Sequence, residues 1–496
     1  MKKYILIILC CLTSFPLWSY NVNMIVEHYS VDQGLPNNTV NCTLKDRDGF
    51  IWFGTWYGLC CFDGVKFKTF NKQEHDSDVP PRKIQRIVED KNGYIWVKTI
   101  DRKLYVFNKV TECFHAVYDD MKNYSENIQV IKLQNTAEGD VLLLTKDKNL
   151  LLAGVDEKGQ VTIKILFDSR DEINKHDYTL KHHVLCETEE YISWIGTDYK
   201  VSAVHKGAEL ASRPADFITS KINSGDKDSF TSFFEDGRKV WVGDRAGIFY
   251  SIDVRTGLVN RYVLSEIKGA ISNLLVTPAG YVYLSVAGQG TYEYDLAERR
   301  LQKINTEMND AMVTHAFIDQ YDKIWFHENE KALIYYDPLN HTAKRFPFTM
   351  FGKITTLYSE DAGERGLFFL SPAGEAWLFD REHAEMVYIN KLKQLSNDRA
   401  NQQFYHLMLD NDGVLWLSSA DEGVYCMNFP KKQFNLLSLS PQSAGQENYT
   451  IGVRALFQSK SGDIWVGTRW QSVYRMDRNG VTKHVFSTGD EHIGNV

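Results

Sequence analysis

The sequence predicts an all-β fold, a β-propeller of four-stranded blades, seven in a first ring, followed by the start of a second propeller. Three observations carry that prediction. Rings are abundant, since 11 Trp, 26 Tyr and 27 Phe make up 13% of 496 residues, and aromatics favour pleated, half-buried surfaces. A large apolar residue returns at near-regular intervals, at Trp52, Trp96, Leu142, Trp194, Trp241, Tyr283, Trp325, Phe368, Trp416 and Trp465, with gaps between 42 and 52 residues. Helical periodicity is nearly absent, while tight-turn signals of the D-x-x-G kind recur ahead of that residue.

The elements follow from one repeat. In its clearest copy, Val40 to Leu44 is an apolar first strand, and Asp46-Arg47-Asp48-Gly49 is a turn in which Gly supplies positive φ and Asp caps the bend. Ile51 to Thr55 is a second strand carrying Trp52, Gly58 to Phe62 an alternating third, and Lys66 to Phe70 a short fourth. The second copy starts at Ile84 and places Trp96 in the same way. Four short strands at this period describe a propeller blade. The ring on strand two is expected to face the next blade and fill the wedge between two sheets.

Ten units exceed the usual four to eight blades of one closed ring, so two rings are expected. Residues 21–348 would form the first propeller and residues 349–496 the opening blades of a second. The Ser-, Gln- and Gly-rich spacer at 438–449 is the alternative boundary. Met24 to Val31 reads as an outermost strand that closes a ring by joining the last blade. His492 to Val496 reads as the approach to another first strand, so the chain is expected to be a fragment of a longer protein.

Composition excludes several classes. Hydrophobic residues at 43% and charged residues at 24% describe a folded chain with a sizeable core. A net charge of −8 without a long basic run gives no footprint for phosphate backbones, so nucleic acid is not an expected partner. Residues 1–20 read as a signal peptide or signal anchor: Lys2 and Lys3 precede an apolar stretch from Tyr4 to Leu12, with Pro16 and the small Ser19 behind it. Leu9 is large where a small residue should precede a lipidated Cys10 or Cys11. The other six cysteines, Cys42, Cys60, Cys61, Cys113, Cys186 and Cys426, show no C-x-x-C pair and read as small buried hydrophobes, with a bridge from Cys42 to Cys60 or Cys61 left open.

No metal or cofactor is expected. Asp46-Arg47-Asp48-Gly49 and Asp410-Asn411-Asp412-Gly413 begin like calcium loops but lack the closing Glu. His182 and His183 are adjacent on a strand and point to opposite faces, which disfavours joint ligation.

The combination D-x-x-G-x-I-W-x-G-T, then G-L, then F-D-G, resembles the two-component regulator propeller repeat, and Tyr29 to Asn38 is similar to the start of the sensors built from it. Unit ten, Ser461 to Thr468, is nearly the family pattern. The resemblance implies the periplasmic sensor half of a Bacteroidetes hybrid two-component system, detecting oligosaccharides released from a complex glycan. It also implies a homodimeric full-length receptor anchored in the inner membrane by later parts. This segment has no phosphoacceptor helix and no nucleotide pocket, so it is expected to sense rather than to catalyse.

The turn between strands two and three lies on the opposite face from the D-x-x-G turns. Candidate ligand-binding residues there are Trp56, Tyr57, Arg102, Tyr199, Arg245 and His327, with Arg469 and Trp470 in the later unit. Aromatic planes stack on pyranose rings, and Arg, Asp, Glu or Asn side chains make hydrogen bonds. Two other readings stay open at this stage. A glycosidase or lyase on the same scaffold would need paired carboxylates, of which 64 Asp and Glu single out none, and the sialidase S-x-D-x-G-x-x-W motif fails because Arg47 stands where its Asp belongs. A protein-interaction scaffold is the third.

Overall fold

The computed structural model describes residues 25–70, 81–122, 129–147, 149–167, 180–188, 190–196, 201–207, 217–220, 230–304, 313–328, 331–351, 358–361, 366–371, 374–391, 404–428, 452–469, 472–477 and 481–487. The 1–20 segment lies outside the described residues. No helix among the described residues is long and apolar enough to cross a membrane. The described helices are one turn long, Tyr118–Met121 and the 3-10 segments Val31–Gln33 and Phe348–Phe351.

The fold is an all-β propeller of four-stranded antiparallel blades. Ten such sheets occur among the described residues, and every predicted ring position falls on the second strand of one of them, from Trp52 in Ile51–Thr55 to Trp465 in Ile464–Thr468. Leu142 and Phe368, which replace the ring or the indole, sit at the same place in Val141–Thr145 and Leu367–Leu370. First strands of neighbouring blades touch one another, so they line the inside of the arrangement and fourth strands its rim.

The sheets fall into two compact units, residues 1–429 and 430–496. In the first unit nine blades follow one another, and each interface is filled by an apolar cluster. Trp52 packs with Ile84, Ile95, Val97 and Phe107 of the second blade. Trp96 packs with Val130, Val141 and Leu151 of the third. Trp241, Tyr283 and Phe368 face blades six, seven and nine in the same sense. The circuit closes where Trp416 of the ninth blade meets Val40, Phe53 and Phe62 of the first.

Closure is made by backbone hydrogen bonds between the two ends of the unit, as the sequence suggested. The strand Ile25–Tyr29 pairs antiparallel with Val424–Asn428, in register from Ile25 opposite Asn428 to Tyr29 opposite Val424. It supplies the missing outer strand of the ninth blade. Gly423 N–H donates to Asn38 C=O at 2.8 Å beside it.

The seven-blade expectation with a boundary at 348 is corrected here. Phe346, Phe348 and Phe351 pack with Leu367, Phe369 and Phe379 of the eighth blade in one cluster, so the interface at 348 is as apolar as the others. The first unit therefore runs on to Phe429, ahead of the 438–449 spacer, which lies outside the described residues. The second unit holds one described sheet, from Val453–Gln458 to Thr482–Ser487, with Val466, Tyr474 and Met476 as its small core.

Candidate functional site

Two ends of each blade use different turn chemistry. At the D-x-x-G end, Asp46 Oδ1 accepts the N–H groups of Asp48 and Phe50 at 3.0 and 2.9 Å, while Oδ2 accepts the Trp52 indole N–H at 2.8 Å. The same carboxylate-to-indole bond recurs at Asp90–Trp96, Asp236–Trp241, Asp319–Trp325 and Asp410–Trp416, at 2.7 to 3.3 Å. The Asp that shapes the turn thus also satisfies the buried indole.

These carboxylates are committed to structure. Lys109 Nζ, from the second blade, lies 3.0, 2.7 and 2.8 Å from Asp46, Asp48 and Glu89. Those three acids form the one group among the described residues with metal-ligand spacing, and an ammonium already sits on all three. Arg381 of blade eight plays the equivalent part against Asp319 of blade seven. Turn chemistry and ion pairing account for the calcium-like spacing.

At the opposite end, the Thr of the W-x-G-T pattern shapes the turn. Thr55 Oγ1 donates to Gly58 C=O at 2.8 Å and accepts Tyr57 N–H at 3.1 Å. Gly58 takes a φ of 129°, a conformation that suits a residue without Cβ. The tight turn leaves Trp56 43% and Tyr57 60% exposed. In the second blade Thr99 Oγ1 donates to Asp101 at 2.5 Å and accepts Lys103 N–H at 3.1 Å, with Arg102 in the left-handed region at a φ of 68°.

Backbone bonds join these two turns. Lys83 N–H donates to Trp56 C=O, and Ile100 N–H donates to Lys83 C=O, both at 2.9 Å. Lys83 Nζ lies 5.4 Å from the Trp56 ring centroid, and the Arg82 guanidinium 6.0 Å from that of Tyr57, within cation–π range. The candidate site is this face of blades one and two: two exposed rings, flanking cations at Arg82 and Lys83, and the exposed Arg102 beyond them.

Of the predicted residues, Trp56, Tyr57 and Arg102 are brought together. Arg245 is exposed within the Asp244 turn of blade five and stands apart from that group. His327 is corrected: it is a half-buried strand residue in Ile324–Glu328, its ring 5.0 Å from Phe348, and burial followed by the nearby His315 lowers its pKa. Arg469 occupies the equivalent of Trp56 in the second unit, donating its N–H to Gly452 C=O at 2.8 Å. Tyr199 and Trp470 lie outside the described residues. Arg82 and Lys83 were missed because they precede a first strand rather than occupy a turn between strands two and three.

Among the described residues Cys42, Cys60, Cys113 and Cys426 are buried and, like the half-buried Cys61, free, and burial pushes the Cys42 thiol up to about 12.

The chain is similar to the extracellular domain assigned to the hybrid two component system BT3049 of B. thetaiotaomicron, at 15% identity over 94% of this chain and 67% of that one, with a TM-score of 0.32. It is similar to the extracellular domain assigned to BT4673 of the same organism at 15% identity, over 94% and 74%, with a TM-score of 0.29. Virginiamycin B lyase from Staphylococcus aureus is similar at 10% identity, over 72% and 97%, with a TM-score of 0.34. No curated protein matches. Residues 34–57 match the family described as Two component regulator propeller, a stretch that runs from Gly34 through the Asp46 turn and ends on Trp56 and Tyr57.

Proposed function

We propose that this chain is an exported ligand-sensing segment of a two-component signalling protein, and that its ligand is an oligosaccharide held on the face formed by Trp56, Tyr57, Arg82, Lys83 and Arg102. The observation that carries the reading is the pair of exposed rings on a rigid turn. Large aromatics exposed side by side suit the apolar faces of pyranose rings, and three cations beside them supply donors for hydroxyl or carboxylate oxygens. The two component regulator propeller repeat at 34–57 supports the signalling role. In this reading the segment is periplasmic, catalyses nothing itself and works within a homodimer.

The test is thermal unfolding with a panel of glycan fragments, alongside product analysis. A rise in midpoint without turnover is the expected result, lost when Trp56 and Tyr57 are both replaced by Ala. Product formation would make the chain an enzyme. Equal affinity in the double variant would remove this face from the site.

A further inference from the structure

A second polar site lies inside the first unit, away from the exposed rings. First strands of blades one, two, three and nine line a half-open cavity of about 450 Å³ whose walls include Thr43, Lys45, Arg86, Glu89, Asn135 and His406. Most of its polar groups are already engaged. Lys45 pairs with Asp410 and Asp412, Glu89 with Arg47 and Lys109, and Asn135 donates to Glu89 C=O.

Three groups are not. Arg86 is exposed to the cavity and has no hydrogen-bond or ion-pair partner among the described residues. Thr43 is 5% exposed, and its Oγ1 has no partner. His406 Nδ1 is buried and equally unpartnered. Buried polar atoms of this kind ordinarily find a partner, and each exception calls for one. Thr43 and His406, which carry these atoms, both line the cavity.

Charge gives the missing partner its sign. Behind Arg86 stands Lys98, 6% exposed, donating only to Gln85 Oε1 at 2.9 Å and Ile131 C=O at 2.5 Å. Arg102 follows on the outer face. Among the described residues none of these three cations has a carboxylate in ion-pair range, although buried lysines are ordinarily paired. Burial first, then Arg102 and Arg86, lowers the Lys98 pKa to about 8. Blade two thus carries an uncompensated positive column whose inner end opens into the cavity.

We infer that the cavity between the first strands of blades one, two, three and nine binds a small organic anion of monosaccharide size, its carboxylate on Arg86 and its remaining oxygens on Thr43 and His406. The volume falls within the range of small-ligand pockets. Arg is suited to a planar carboxylate because its fork presents two parallel N–H groups.

The experiment is calorimetric titration of the whole chain with glucuronate and, separately, with glucose, which has the same ring without the carboxylate. Glucuronate is expected to bind at least about tenfold more tightly, the scale of one charge-assisted hydrogen bond. Arg86→Gln is expected to erase that preference. Thr43→Val, which removes an unpartnered hydroxyl and so keeps the fold, is expected to weaken glucuronate several-fold. Equal binding of the two sugars, or a preference that survives Arg86→Gln, would each overturn the inference.

Discussion

Trp52 donates its indole N–H to Asp46, six residues earlier, at 2.8 Å, and neither side chain has appreciable solvent contact. The Asp and the Trp of D-x-x-G-x-x-W are therefore one device. The carboxylate orders the turn through Oδ1 and satisfies the indole through Oδ2, so that the ring can be spent on the interface with the next blade.

Replacing Asp46 by Ala leaves the indole and two turn amides without their acceptor and takes one of three acidic partners from Lys109. The expected loss is roughly 2 to 4 kcal/mol, from a buried donor and a charge-assisted bond together. Urea unfolding checks it. Asp46→Asn keeps an oxygen for the turn but loses the charge, and is expected to fall between Ala and the parent.

Gly54 is required for packing rather than for its φ. A Cβ there would lie 2.4 Å from Cys42 Sγ and 2.6 Å from Ile84 Cγ2. Gly54→Ala is expected to destabilise by about 1 to 3 kcal/mol, the cost of overpacking a filled core. Pairing it with Cys42→Ala should recover part of that loss in a double-mutant cycle of unfolding free energies.

Lys109 bonds all three acids of the group with ligand spacing. Removing it as Lys109→Ala leaves Asp46, Asp48 and Glu89 facing one another with ligand oxygens within 4.8 Å. The variant is expected to lose stability and to regain much of it with millimolar calcium, whereas the parent shows no calcium response. Thermal midpoints with calcium and with chelator read both.

Acid should act through His406. Burial, then Arg86, lowers its pKa to about 4 from the ordinary 6.5. The unfolded chain therefore binds the proton more readily between these values. The contribution, up to about 3 kcal/mol, is fully present above pH 6.5 and is lost as pH falls toward 4. His406→Gln is expected to flatten the urea midpoint over that window.

Much of this architecture was legible because the wedge residue is large, apolar and periodic, so even Leu142 and Phe368 could be placed by spacing. How many blades share a unit was not. Phe348 packing on Phe369 follows the same pattern as Phe53 beside Trp416, and repeated interfaces of one chemistry carry no mark of where a circuit ends. At the candidate site, Trp56, Tyr57 and Arg102 were legible because two-strand turns expose what they carry. His327 misled because its strand continues one residue past it, to Glu328. The cations Lys109 and Arg381 reach across to the preceding blade, a relation between distant positions that no local pattern encodes.

The pairing of Ile25–Tyr29 with Val424–Asn428 also sets an order of events. During synthesis the opening strand emerges about four hundred residues before its mate, so it stays unpaired, and the first blade keeps one open face, until the ninth is made. Folding of this unit is thus tied to completion of its length, and a chain halted before residue 428 would present bare backbone edges to its neighbours.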